Sequence, residues 1–252
     1  MNMKSLKRIL AKNSGRSNGR VTVRHQGGRE KRFLRIIDFG RNKKDIWGVV
    51  ETIEYDPNRN ADIALVLYED GDRRYILSPV GLKVGSKVIA SEVAPTEAGN
   101  ALSLKGIPVG TQIHNIEITK GKGGQMVKGA GSVATVFGKE DKWVLVKLPS
   151  GEIRRFDPEC SAEIGQIGNV EAKEEVVGKA GRNIHRGIRP SVRGVAMNPH
   201  SHPHGGGEGR SSVGMKYQKT VYGRRAVGKT RTKRKYSNRL IVQRSGQKSI
   251  LG

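Results

Sequence analysis

Charge along this 252-residue chain falls into three blocks, and that division limits what each part can fold into. Residues 1–32 hold ten Lys or Arg and a single acid, Glu30, for a net of +9. Residues 178–252 hold eighteen against Glu208 alone, for a net of +17. Between them, 33–177 has nineteen basic and twenty-one acidic residues, a net of −2. A near-neutral centre can collapse onto an apolar core. The flanks repel themselves and carry too little apolar surface to offset the entropy of ordering in water. They call for a polyanionic partner, whose phosphates would neutralise the clustered Lys and Arg. Nucleic acid or an anionic membrane surface would serve. No window reaches the apolar length of a membrane-spanning helix, so no membrane role is expected.

The centre reads as two small all-β units. In the first, Ile46–Tyr55 forms an apolar-rich strand closed by Asp56-Pro57-Asn58-Arg59, with Pro at the second turn position. Ile63–Tyr68 and Arg73–Leu77 are joined by Asp70-Gly71, a hairpin signal. Lys87–Ala90 and Ala101–Leu104 complete it, and Gly106–Gly110 reads as a linker. In the second, strands are expected at Gln112–Ile118, Ser132–Phe137, Trp143–Leu148 and Glu152–Phe156, with a basic turn at Lys120–Gly124. Strands this short, with turns every eight to twelve residues, suit small barrels. Only 5% of residues are aromatic, which argues against a large enzyme-like interior. Trp47 and Trp143 sit among apolar strand residues and are assigned to the core. Cys160 is the sole cysteine, so no intrachain disulfide forms, and it is expected to pack as a small apolar group.

Beyond Gly178 the periodicity stops, and thirteen Gly are spread over the last 75 residues. The densest motif runs Arg189-Pro190-Ser191-Val192-Arg193-Gly194-Val195-Ala196-Met197-Asn198-Pro199, then His202-Pro203-His204-Gly205-Gly206-Gly207-Glu208-Gly209-Arg210. Consecutive glycines let backbone approach phosphate or sugar with no Cβ in the way. Imidazoles donate to phosphate or stack on bases. This stretch resembles the signature of the large-subunit ribosomal protein L two family, PxxRG followed by MNP and HPHGGGEGR. The resemblance extends to Arg20–His25 with Gly27-Gly28, to Arg35–Phe39, Glu54–Arg59 and Arg74–Leu77, and to Ile107–Gly110, His114-Asn115 and Gly121–Gln125.

The resemblance implies an OB-fold followed by an SH3-like barrel, with extended basic arms at 1–32 and 178–252 and a domain division at 33–105 and 106–177. It implies a non-enzymatic structural constituent of the large ribosomal subunit. Such a protein would bind rRNA early and support assembly and subunit association, with its C-terminal arm near the peptidyl transferase region. The expected partners are large-subunit rRNA, other ribosomal proteins and the small subunit, without a homo-oligomer, cofactor or metal. The expected location is the cytoplasmic ribosome. The Arg-rich, Ser-containing start also fits a transit peptide, so an organelle ribosome stands as the alternative.

Expected RNA contacts are Arg20, Arg24, His25, Gly27, Gly28, Arg35, Arg59, Lys122, Gly123, Gly124, Lys128, Arg182, Arg189, Arg193, Asn198, His202, His204, Gly205, Gly206, Gly207, Arg210, Lys233, Arg234 and Lys235. Arg59 matches a family RNA-binding arginine. At the second such arginine this chain has Lys128, which keeps the charge but loses the bidentate fork. His200-Ser201 stands where the family has Val-Asp, and Tyr217–Tyr222 replaces its Pro- and Trp-containing stretch. The family histidine at His202 has been considered an aid to peptide-bond formation, but one imidazole is not an acid–base constellation.

Two rival signals point elsewhere. His200, His202 and His204 could chelate a metal, but no carboxylate or thiol cluster lies nearby in sequence. Residues 223–230 satisfy GxxxxGK[ST], yet a nucleotide-binding loop needs a buried strand before it and an amphipathic helix after it. Met215–Lys219 and Arg231–Lys235 supply neither. A general RNA chaperone, binding any RNA by charge, is the remaining alternative.

Overall fold

The computed structural model describes residues 3–209, 211–228 and 230–245. The chain is all-β in its folded centre, as expected. Asp70-Gly71 makes the expected hairpin, and both strands fall where alternation placed them, at Ile63–Tyr68 and Arg73–Leu77. Gly71 takes φ +78°, a left-handed turn conformation that a Cβ would disfavour. With Gly48–Glu54 and Lys87–Val88 they form a four-stranded antiparallel sheet. A register shift between Val50 and Thr52 bends that sheet. Val50, Ala64, Val66, Tyr68, Ile76 and Val88 pack on one face. Ile63, Leu65 and Tyr75 pack on the other, where Leu6 closes over them. Sealing of that second face comes from the cationic N-terminal flank, whose Lys7–Ile9 pairs with Phe33–Arg35.

A seven-stranded antiparallel sheet makes the second core. Its order is Ile241–Gln243, Ile153–Phe156, Val144–Lys147, Ala134–Lys139, Gln112–His114, Ser161–Ile164 and Ala101–Ser103. It wraps around Leu104, Ile107, Ile113, Val136, Val144, Val146 and Phe156, with Cys160 fully buried among them. Burial raises the Cys160 thiol to about 11, so it stays a protonated, apolar filler at neutral pH. Two edges differ from the sequence reading. Ala101–Ser103 pairs with Ser161–Ile164 in this sheet, while Ala101 also bridges to Ala90, next to the last strand of the first. Ile241–Gln243, from the C-terminal flank, adds an edge to Ile153–Phe156. Ser161–Ile164 escaped notice because it has one β-branched residue and buries an acid, Glu163. Trp47 corrects another expectation: it lies at the surface, 36% exposed, just before the strand that starts at the buried Gly48.

A second compact unit is built from 12–30 together with 177–238. It holds twenty Lys or Arg against Glu30 and Glu208. None of the buried apolar side chains among the described residues belongs to it. Backbone bonds hold it instead. Gly27 N–H donates to the Gly187 carbonyl at 2.8 Å, Arg189 N–H to His25 at 2.9 Å, and Glu30 N–H to His185 at 2.9 Å. The helix Ala180–Arg186 ends on Gly187 at φ +89°, with His185 and Arg186 in the last turn, where cations favour the helix dipole. The two flanks, separate in sequence, are thus knitted into one element.

Candidate nucleic-acid interface

The cationic positions in the first unit converge because of one buried acid. Asp56 is fully buried at the Asp-Pro-Asn-Arg turn and accepts from Arg59 Nε at 2.7 Å and from the Asn58 backbone and side chain. Arg35 lies 3.9 Å away. Burial alone would raise the Asp56 carboxyl, but the bonds from Arg59 and Asn58 outweigh it and hold the group below its ordinary value. Tethered this way, the Arg59 guanidinium sits 5.6 Å from the centre of the Phe39 ring. Lys128, from the second barrel, places its ammonium 4.1 Å from the same centre. Burial and then the Arg59 charge draw the Lys128 ammonium below its usual value. Two cations stand on one ring, and among the described residues the only acid bonded to either is Asp56, on Arg59, so an anion such as phosphate would relieve them.

Beneath that ring the two barrels meet through a polar seam. Asp38 accepts from Arg74 at 2.8 Å and caps the turn through the Arg41 amide at 2.9 Å. Arg41, at φ +47°, enters the seam, donates to the Gly99 carbonyl at 3.0 Å and lies 3.3 Å from Glu163 Oε2. Asn115 Nδ2 donates to Glu163 Oε1 at 2.6 Å and to the Phe39 carbonyl at 3.3 Å. His114 Nδ1 faces the Gly165 carbonyl at 2.9 Å and so carries hydrogen, while Nε2 faces Glu163 at 3.5 Å. Glu163 is fully buried. Its desolvation is outweighed by the Arg41 charge, by the nearby His114 ring and by the bond from Asn115, so its carboxyl lies below the usual range.

These depressed carboxylates set the pH dependence of folding. Asp72 joins them: burial would raise it, but bonds from Lys43 and Arg74 hold it at about 2. A group whose folded pKa lies below its unfolded value stabilises the fold above the unfolded value and ceases to do so as pH falls through the folded one. Thermal stability should therefore be level above about pH 5 and fall progressively from there towards pH 2. A melting temperature unchanged between pH 6 and pH 3 would contradict this.

The glycines expected to face RNA divide into two kinds. At Gly124 a Cβ would overlap the Asn115 side chain and backbone, and at Gly123, φ +76°, it would meet Gly40 at 3.2 Å. At Gly205 it would strike the Asn198 and Met197 carbonyls; at Gly206 Pro199; at Gly207 Ser211. Here the protein itself occupies the space. Gly27 is capped by the Arg189 side chain, and only Gly28 of the expected set is open.

His202 and His204 are fixed by the same loop. The His204 amide donates to His202 Nδ1 at 3.0 Å, and the Lys219 amide donates to His204 Nε2 at 3.0 Å. The rings meet edge to face at 4.8 Å, and the His202 ring packs closely against Gly194, where a Cβ would strike it. Nδ1 of His202 and Nε2 of His204 thus accept within the loop, which leaves Nε2 of His202 and Nδ1 of His204 as the N–H positions of the rings. Acting as a base or metal ligand would break a loop hydrogen bond.

Arg20, Arg24, His25, Arg182, Arg189, Arg193 and Asn198 lie exposed, as do Lys122 in the near-neutral centre and Lys233, Arg234 and Lys235 in the flank-built unit. The last three sit on a turn pinned by Asn238, whose Nδ2 donates to the Lys233 carbonyl at 2.6 Å. Arg210 lies outside the described residues. Residues 215–222 form no strand and 230–235 no helix, so the GxxxxGK[ST] match lacks its structural context; its Lys229 is outside the described residues. Sequence reasoning did not select Phe39, Arg41, Asp56, Asn115 or Glu163. Phe39, Asp56 and Asn115 lay within segments that carry the resemblance, and Asp56 also stands three residues before an arginine in a tight turn; Arg41 and Glu163 carried no such signal.

Comparison with known families gives two matches. The model described as Ribosomal Proteins L2, RNA binding N-terminal domain, matches residues 3–90. The model described as Ribosomal Proteins L2, C-terminal domain, matches residues 97–223.

Proposed function

The chain belongs to the ribosomal protein L2 family, a structural, RNA-binding family of the large ribosomal subunit, and on that premise we propose that it is a primary rRNA-binding protein. The observation that carries this reading is the convergence of Arg59 and Lys128 on Phe39, two cations from different barrels poised for a shared anion. The barrels position the molecule by contacts of this kind. The unit made of 12–30 and 177–238 then neutralises phosphates where rRNA segments approach one another. In this role the protein supports subunit assembly and association, with its C-terminal flank directed towards the peptidyl transferase region.

The test is binding of the purified chain to large-subunit rRNA fragments beside random RNA of equal length, with co-sedimentation in large subunits from cells. One fragment should be strongly preferred and the protein should travel with the subunit. Equal affinity for every RNA would instead support a general chaperone.

A structural role for His202 gives a further expectation. His202→Gln keeps a hydrogen-bonding side chain without the imidazole, so assembled subunits should retain most peptidyl transfer activity. Loss of about 10²–10⁴-fold in particles of verified protein content, the scale of a missing general base, would assign it a catalytic part.

A further inference from the structure

The buried seam lies away from the cations that would meet RNA, yet it fixes where they stand. Phe39 is only half-buried, and its place is set largely by its backbone. Its carbonyl accepts from the Gly124 amide at 2.8 Å and from Asn115 Nδ2 at 3.3 Å, both in the second barrel. On the N-terminal side, Asp38 N–H is bonded to the Tyr75 carbonyl at 2.8 Å in the first barrel. On the C-terminal side, Arg41 ends against Glu163. Glu163 is therefore the common partner: one oxygen holds Asn115, and the other faces Arg41 and His114.

Arg41 has little else to compensate it. It is 2% exposed, and its Nε and Nη2 have no hydrogen-bond partner among the described residues. Neutralising Glu163 would leave a buried guanidinium facing only the Gly99 carbonyl, and the 38–41 turn would shift to rehydrate it. Phe39 would move with that turn, and with it the ring on which Arg59 and Lys128 meet.

We infer that Glu163 is a positioning residue for RNA binding: through Asn115 and Arg41 it fixes Phe39, and so sets the spacing of the Arg59 and Lys128 charges for one RNA phosphate. This rests on the reading that the Phe39 face meets RNA. Glu163 itself touches no RNA.

The experiment is equilibrium binding of the full chain to its preferred large-subunit rRNA fragment at one salt concentration. The variants are Glu163→Gln, Asn115→Gly, the pair Arg59→Ala/Lys128→Ala, and Glu163→Gln added to that pair. Asn115→Gly removes the carboxamide while suiting the φ of +47° at that position, and it carries the comparison if Glu163→Gln does not fold. Glu163→Gln and Asn115→Gly should each weaken binding about tenfold in proteins that melt cooperatively, and Glu163→Gln should cost less than about twofold on top of the pair, because both changes remove the same contact. A purely structural brace predicts instead that its full loss persists on the pair, and that result would overturn the inference. Wild-type affinity in Glu163→Gln and Asn115→Gly, beside a weakened pair, would sink the inference alone. Wild-type affinity in the pair itself would remove the RNA-contact reading and the inference with it.

Discussion

Raising salt from about 50 to 200 mM should weaken binding of the full chain to large-subunit rRNA by roughly 10³–10⁵-fold, if about six to ten phosphates are contacted. The charge that produces this lies mainly in the unit made of 12–30 and 177–238, where twenty Lys or Arg face two acids. One of those acids, Glu30, is already paired with His185 at 2.7 Å. In the first unit, by contrast, many cations are spent internally. Arg73 is bonded to Glu51, Arg74 to Asp38, and Lys43 to Asp70 and Asp72. The exposed turn Lys233-Arg234-Lys235 offers a direct test, because Asn238 holds its backbone while the side chains stay in solvent. Changing all three to Gln should reduce the slope of log affinity against log salt by up to about 2.7, near 0.9 for each phosphate lost. An unchanged slope would show that this turn contacts no phosphate.

Gly124→Val should unfold the seam, whereas Gly28→Val should leave stability untouched. At Gly124 a Cβ would overlap Asn115, whose carboxamide links Phe39 to Glu163, and both residues are buried. Overpacking against backbone and a buried polar network should cost about 3 kcal/mol or more. For a unit of this size that is a drop of roughly 6–12 °C in melting temperature. Gly28 has open space around its Cα, so Val there meets nothing in the protein. If Gly28 is glycine because RNA passes close, Gly28→Val should weaken rRNA binding at unchanged melting temperature. Stability of Gly124→Val equal to wild type would mean that the close approach at Gly124 is not rigid. Wild-type RNA affinity in Gly28→Val would remove Gly28 from the interface.

Local chemistry fixed much of this protein in advance. The Asp70-Gly71 hairpin, the strands on either side of it and the apolar run at Val144–Val146 follow from alternation and turn preference, which act over a few residues. The charge blocks named the class of partner for the same reason, since net charge needs no fold to be read. The motif through His202-Pro203-His204 marked the family signature, and the family matches agree with it.

Tertiary structure decided what depends on residues distant in the chain. Leu6 and Ile241–Gln243 come from flanks whose composition looks unfoldable, yet each completes a core or a sheet offered by the neutral centre. Composition averages over a segment and cannot show one apolar residue finding a distant partner. Glu163 lies in a strand with a weak local signal, and its burial becomes favourable only when Arg41, His114 and Asn115 arrive from two other segments. Arg59 and Lys128 are both legible as cations, but their meeting on Phe39 is a property of two barrels brought together. The glycines teach the same distinction. Sequence shows that Gly124 and Gly205 lack a side chain; only the fold shows that the protein's own carbonyls and carboxamides fill the space.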